Sequence, residues 1–223
     1  MPATTPTPND TDESLMLRYA GGELSTFDTL YTRHEMAVWR FVFRSVRNQA
    51  VADDLMQDVW FAVARQGLAS SPGRPKTEAA PPGGGAAHEV ASVGAAAGYE
   101  VKAKFRTWLF TIAHNRMVDH FRTSKNHTSL DDTSEEDQAL HETLAADSGF
   151  GPVRQLQSRE QAAALIQAVE ALPAHQREAF LLQAEAGLSV EEIAAATGVN
   201  FETAKSRLRY ARSSLKQSLR EFA

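Results

Sequence analysis

Apolar residues recur at steps of three, four and seven along most of the chain, with polar residues between them, as the buried faces of α-helices require. A short first segment carries Leu15, Leu17 and Tyr19. A longer one, from about Glu23 to Val46, repeats Phe27, Leu30, Tyr31, Val38, Phe41 and Val42. A third, Ala50 to Arg65, aligns Val51, Leu55, Val59 and Ala62 on one stripe and leaves Asp53, Asp54, Gln57 and Asp58 off it. Those three acids, taken as lying near the helix N-terminus, also suit its dipole. Helix resumes at about Ala103 and runs to Ser124, with Phe105, Trp108, Leu109, Ile112, Val118 and Phe121 as its apolar set. Four more segments follow: Leu156–Ala171, Pro173–Ala186, Ser189–Thr197 and Phe201–Arg220. Pro173 occupies a first-turn position, and Gly187 and Gly198 stand where helices end. No stretch alternates as a strand would.

The intervals between helices set the domain plan. Residues 1–13 are rich in Pro, Thr and Asp and read as a disordered tail. In residues 67–100, 20 of 34 positions are Gly, Pro or Ala, which cannot form a core and reads as a flexible insertion. The polar stretch 126–153, with Gly149, Gly151 and Pro152, reads as an interdomain linker. The expectation is an all-α protein of two small helical domains, 14–125 and 154–223, joined by a flexible acidic linker. The length of 223 residues allows this.

Charge changes the picture. The net charge is −5, which argues against a nucleic-acid partner, but the distribution is uneven. From Lys102 to Lys125 six Lys and Arg residues face one acid, Asp119; from Phe201 to Ala223 six face Glu202 and Glu221. Between these blocks, 126–160 holds eight acids against Arg154 and Arg159. Two basic blocks flanking an acidic one make local fields that the total hides.

The stretch Gly187 to Leu208 reads as a helix-turn-helix. Ser189 with Glu192 three residues on makes a capping box. Ile193 and the small Ala194 permit a close helix crossing, Gly198 supplies positive φ for the turn, and Asn200 caps the next helix. Val199 plugs the space between the helices. On the last helix Ala204, Leu208, Ala211, Leu215 and Leu219 form a buried stripe. Ser206, Arg209, Tyr210 and Ser213 share another face, free to enter a major groove.

These residues carry a family resemblance. Leu172-Pro173-Ala-His-Gln-Arg177, Gly187-Leu-Ser-Val-Glu-Glu-Ile-Ala and Thr203-Ala-Lys-Ser-Arg-Leu208 resemble region 4 of bacterial sigma factors, most closely the extracytoplasmic-function (ECF) group. Asp28-Thr-Leu-Tyr31 and Ala52-Asp53-Asp54-Leu55-Met56-Gln57-Asp58-Val59-Trp60 resemble region 2 and its polymerase-binding helix. Phe105-Arg106-Thr107-Trp108-Leu109 through Asn115-Arg116-Met-Val-Asp119-His-Phe-Arg122 resembles the promoter-melting segment. The resemblance covers about 15–66, 102–125 and 156–220, in the family's order.

It implies the following roles. Asp53, Asp54, Gln57 and Asp58 would dock on core RNA polymerase. Asn115, Arg116, Asp119 and Arg122 would share a helix surface over the −10 element, with Lys125 and Asn126 in the following loop as base-capture candidates. Arg and Asn are residue types that pair with base edges or phosphates. Trp108 lies at helical spacing with Phe105 and Ile112, which makes it core; the alternative is a stacking platform for an unpaired base. In region 4, Thr203 belongs to the contact motif, Lys205, Arg207 and Arg212 are placed for phosphates, and Ser206, Arg209 and Tyr210 for −35 base edges. Three features depart from the family pattern: Ala204 for the commoner Val, Tyr210 for a basic residue, and the length of 67–100. The acidic linker either mimics RNA charge in the polymerase cleft or serves solubility. The implied partners are core RNA polymerase, promoter DNA and an anti-sigma factor.

Two rival readings stand beside this one. An ordinary helix-turn-helix repressor or activator would account for 156–220 but not for the Asp53–Asp58 edge or the second basic block. An enzyme finds little support: His34-Glu35 has no second histidine at helical spacing, and Asp119-His120 has no metal partners in view. The chain has no cysteine, no phosphate loop and no nucleophile–base arrangement, so neither catalysis nor a cofactor or metal is expected. The N-terminus lacks a basic start and an apolar run, and no stretch is long and apolar enough to span a membrane, so a cytoplasmic location is expected.

Overall fold

A computed structural model describes residues 10–69, 104–124 and 159–220. These residues form eight helices: α1 (Asp12–Ala20), α2 (Ser25–Val46), α3 (Gln49–Ala69), α4 (Phe105–Ser124), α5 (Arg159–Glu170), α6 (Ala174–Ala186), α7 (Val190–Thr197) and α8 (Phe201–Ser218). No strand occurs among them.

Local chemistry explains most of the boundaries. The Thr11 hydroxyl accepts from the Ser14 amide at 3.2 Å and starts α1. The chain is thus helical from Asp12, two residues before the expected start of the first domain at residue 14. Asp10 already pairs with Arg18 at 2.8 Å. α2 ends at Arg47, whose φ of 56° turns the chain left-handed while its amide donates to Phe43 O. The acids of α3 lie in its second turn and beyond, and its first turn holds none, so the helix-dipole argument fails there.

α1, α2, α3 and α4 pack together around Phe41, Phe43, Phe105 and Phe110, all fully buried. Each such ring contributes roughly 2–3 kcal/mol on leaving water. α5, α6 and α7 pack around α8, whose inner stripe is Ala204, Leu208, Ala211 and Leu215. Leu219 is half-buried at its end.

Four expected core positions differ. In α1, Met16 turns inward and Leu17 is exposed, because Leu15, Met16 and Tyr19 already fill the inner sector. Tyr31 is 38% exposed on α2, with its ring beside that of Trp60. Val118 and Phe121 are 46% and 42% exposed, since the last turns of α4 run past the helices that cover Phe105, Leu109 and Ile112. Trp108 is half-buried and meets Phe105 with ring centroids 5.7 Å apart, which agrees with a core role.

One expected boundary also differs: residues 67–69, expected to open the insertion, are helical. α3 continues to Ala69, and Gly67 presses on α1: a Cβ there would lie 2.5 Å from the Tyr19 ring. Residues 70–103, including Pro81 to Gly85, lie outside the described residues, as does the linker 126–153.

The two helical groups touch directly. α6 lies on α2, and α7 lies on α4.

Candidate nucleic-acid interface

α8 is built as a presented helix. Its Asn200 cap accepts from the Thr203 amide at 2.8 Å. The preceding α7 carries a complete capping box: the Ser189 hydroxyl accepts from the Glu192 amide at 3.2 Å, and the Ser189 amide donates to Glu192 Oε2 at 2.8 Å. Gly198 between them adopts φ 65°, and Val199 is half-buried against the core. Every element expected of the helix-turn-helix is therefore in place.

The buried stripe of α8 forces its opposite face outward. Lys205, Arg209, Tyr210, Arg212 and Ser213 are exposed, while Thr203, Ser206 and Arg207 are half-buried. Tyr210 is 53% exposed, and the Arg209 guanidinium lies 5.0 Å from its ring centroid and donates to its hydroxyl at 3.3 Å. The two form one unit with five donors and an aromatic face. Lys205 pairs loosely with Glu202 at 3.4 Å and lies 5.7 Å from the Phe201 ring. Arg212 donates to Gln183 Oε1 at 2.5 Å, which holds it at the edge of the face.

On α4, Asn115, Asp119 and Arg122 are exposed and Arg116 half-buried. Arg122 pairs with Asp119 one turn back at 3.1 Å. Val118 and Phe121, assigned above to the core, stand on the same exposed end. Lys125 and Asn126 lie outside the described residues.

On α3, Asp53, Asp54, Gln57 and Asp58 are all exposed. Beside this edge runs an apolar groove between α2 and α3, lined by Tyr31, Met36, Trp39, Met56, Trp60 and Phe61. Trp60 is buried and Phe61 exposed.

A capped helix-turn-helix with a basic outer face, set beside a second helix with polar and aromatic outer residues, defines a DNA-binding protein of all-α class. The comparisons with known proteins agree. Residues 162–215 match the family model for Sigma-70, region 4, and residues 90–127 match that for Sigma-70 region 2. The two matches lie in the order region 2, then region 4, and each is to a region of sigma-70 proteins. The region 2 match starts at 90, inside the stretch 67–100 read as an insertion.

Relatives extend the likeness to the N-terminal helices. RNA polymerase sigma factor CarQ of Myxococcus xanthus is 29% identical over 207 residues, covering 93% of this chain and 97% of that protein. ECF RNA polymerase sigma factor BldN of Streptomyces coelicolor is 29% identical over 206 residues, covering 90% of this chain and 64% of that protein. The fold matches that of sigma factor RpoE from Bartonella quintana, solved in complex with the anti-sigma factor NepR. That match has a TM-score of 0.55, 21% identity, and covers 87% of this chain and 96% of the other. No described helix is long and apolar enough to cross a membrane.

Proposed function

We propose that this chain acts as an ECF-type sigma factor in which each exposed face has one task. The α3 edge Asp54, Gln57 and Asp58, with the aromatic groove beside it, binds core RNA polymerase. The α4 face Asn115, Arg116, Asp119 and Arg122 reads and opens the −10 element, and Lys125 and Asn126 follow it in sequence. On α8, Thr203, Lys205, Arg207 and Arg212 hold phosphates, and Ser206, Arg209 and Tyr210 read −35 bases. The chain acts by binding rather than by catalysis, and an anti-sigma protein is a further partner in this reading.

One observation carries it: a single chain exposes an acidic edge beside an apolar groove and, separately, two helix faces rich in nucleic-acid-pairing side chains. A repressor needs only α8. Size-exclusion chromatography with core RNA polymerase tests the difference. Co-elution supports the reading; failure to co-elute, together with a shift of promoter DNA by the chain alone, supports the repressor.

A further inference from the structure

The first turn of α4 is not capped by its own sequence. Lys104 holds the N-cap position, and its carbonyl accepts from the Trp108 amide at 3.1 Å. A lysine side chain has no acceptor for the amides that open a helix, and the first turn of α4 holds no acid. The acceptor comes from α1: the Phe105 amide donates to Glu13 Oε1 at 2.8 Å, across 92 positions of sequence. A carboxylate there suits the helix dipole, and a bond to a charged acceptor is stronger than a neutral one.

The same turn is held from a second side. The Phe105 ring is fully buried and lies 5.5 Å from the His34 ring of α2. His34 Nε2 lies 2.7 Å from Asp12 Oδ2, and Asp12 is the neighbour of Glu13 in the first turn of α1. Arg33 donates to Asp12 Oδ1 at 2.9 Å and to Asp10 O at 2.7 Å. Asp12, His34, Phe105 and Glu13 thus close a ring of contacts through α1, α2 and α4.

Few other constraints set where α4 begins. Residues 70–103 could span roughly 115 Å, so the covalent link to α3 does not by itself place the start of α4. Burial of Leu109, Ile112 and Met117 holds the helix sideways, but apolar packing is non-directional. A bond to one backbone amide fixes position along the axis. α4 is 20 residues long, so Arg122 lies about 25 Å from Phe105. A tilt of about 10° would move Arg122 by about 4 Å, more than a hydrogen bond to a base tolerates.

We infer that Glu13 is a positioning residue for the −10 face: through the Phe105 amide it sets where α4 starts and points, and the Asp12–His34 contact holds Glu13 in place. α1, which carries no residue assigned to DNA or polymerase, thereby governs how Asn115, Arg116, Asp119 and Arg122 meet the promoter. The inference rests on the sigma-factor reading for the identity of the ligand, but the placement of α4 is measured without polymerase.

The chain lacks cysteine, so spin labels at Leu17→Cys and Val118→Cys, at positions 49% and 46% exposed, report the distance between α1 and α4 in the full chain. Glu13→Gln keeps the reach to Phe105 and loses the charge, whereas Glu13→Asp keeps the charge and is one methylene short. Wild type and Glu13→Gln should show one narrow distance. Glu13→Asp should broaden or shift it by about 3 Å, the displacement of Val118 at a tilt of about 10°. A carboxylate that only stabilised the first turn of α1 would give the opposite order, with Glu13→Asp like wild type and Glu13→Gln impaired. That order, or an unchanged distance in Glu13→Asp, overturns the inference.

Promoter opening supplies the second readout. With core RNA polymerase, the fluorescence of 2-aminopurine placed in the −10 element should rise about tenfold more slowly for Glu13→Asp, while Glu13→Gln opens within about twofold of wild type. Core affinity should be the same for all three proteins, since Glu13 lies away from the α3 edge. Normal opening by Glu13→Asp overturns the inference. If the wild-type chain opens no promoter, the sigma-factor reading fails, and the label distances still decide what holds α4.

Discussion

The indole Nε1 of Trp39 donates to Asp53 Oδ1 at 2.9 Å and so ties α2 to α3. This separates Asp53 from the other members of its edge. Its carboxylate is engaged within the fold, whereas Asp54 and Asp58 are exposed on the same helix beside the aromatic groove.

Asp54→Lys with Asp58→Lys should weaken core polymerase binding at least tenfold, about 1.4 kcal/mol, because reversing two exposed charges acts on partner attraction rather than on folding. Asp53→Ala, which removes the acceptor, should instead lower stability by about 0.5–1.5 kcal/mol, with less effect on the complex. Thermal melts and fluorescence titration with core enzyme read the two effects separately.

A second prediction concerns acid. His34 Nε2 lies 2.7 Å from Asp12 Oδ2, and Arg33 reaches Asp12 Oδ1 at 2.9 Å. Burial alone would raise the Asp12 carboxyl, but these hydrogen bonds and charges pull it down to about 2. A depressed carboxyl stabilises the fold above its unfolded value near 4, and that contribution disappears as pH falls from 4 to 2. Asp12→Asn should cost about 1–2 kcal/mol at pH 7 and flatten the stability curve below pH 4. Equal acid sensitivity of the two proteins in urea melts would refute this.

Gly67→Ala should destabilise the chain although Ala favours helix by about 1 kcal/mol. The new Cβ would meet the Tyr19 ring at 2.5 Å and Met16 Cε at 2.9 Å. Tyr19 is buried and lies 5.1 Å from the Phe27 ring, so it has little room to turn aside. Overpacking of this kind costs roughly 1–3 kcal/mol, for a net loss near 1 and a melting temperature lower by about 2–4 °C. An unchanged or higher melting temperature counts against the packing.

Helix existence and caps were legible in the sequence because their causes are local. The Ser189–Glu192 box and the Asn200 cap follow from neighbours within three residues, and Gly198 and Gly187 have the positive φ their positions suggest. Burial was less legible, because a stripe does not reveal how far its partner helix extends. Val118 and Phe121 continue the period of Phe105 and Leu109 but outrun the cover. The contact of Glu185 with Arg40 and Arg44 joins residues more than 140 positions apart, and only tertiary packing brings them together.

On α8 base reading and phosphate holding should separate. Arg209 stacks with Tyr210 in the centre of the exposed face, while Lys205 lies toward Glu202 and Phe201. Arg209→Ala should change which −35 sequences are used, costing about 1–3 kcal/mol at one base. Lys205→Ala should weaken all promoters similarly and flatten the salt slope by about one phosphate contact. A −35 library transcribed by each variant across a salt series gives the answer; a uniform loss for Arg209→Ala would assign base reading to Tyr210 instead.

Run-off transcription from a promoter library with purified core RNA polymerase tests the central claim most directly. With the chain added, transcripts should start from a subset of templates sharing one −35 and one −10 sequence, and core alone should yield none of them. If no template responds while the same core enzyme works with another sigma factor, this chain does not direct initiation.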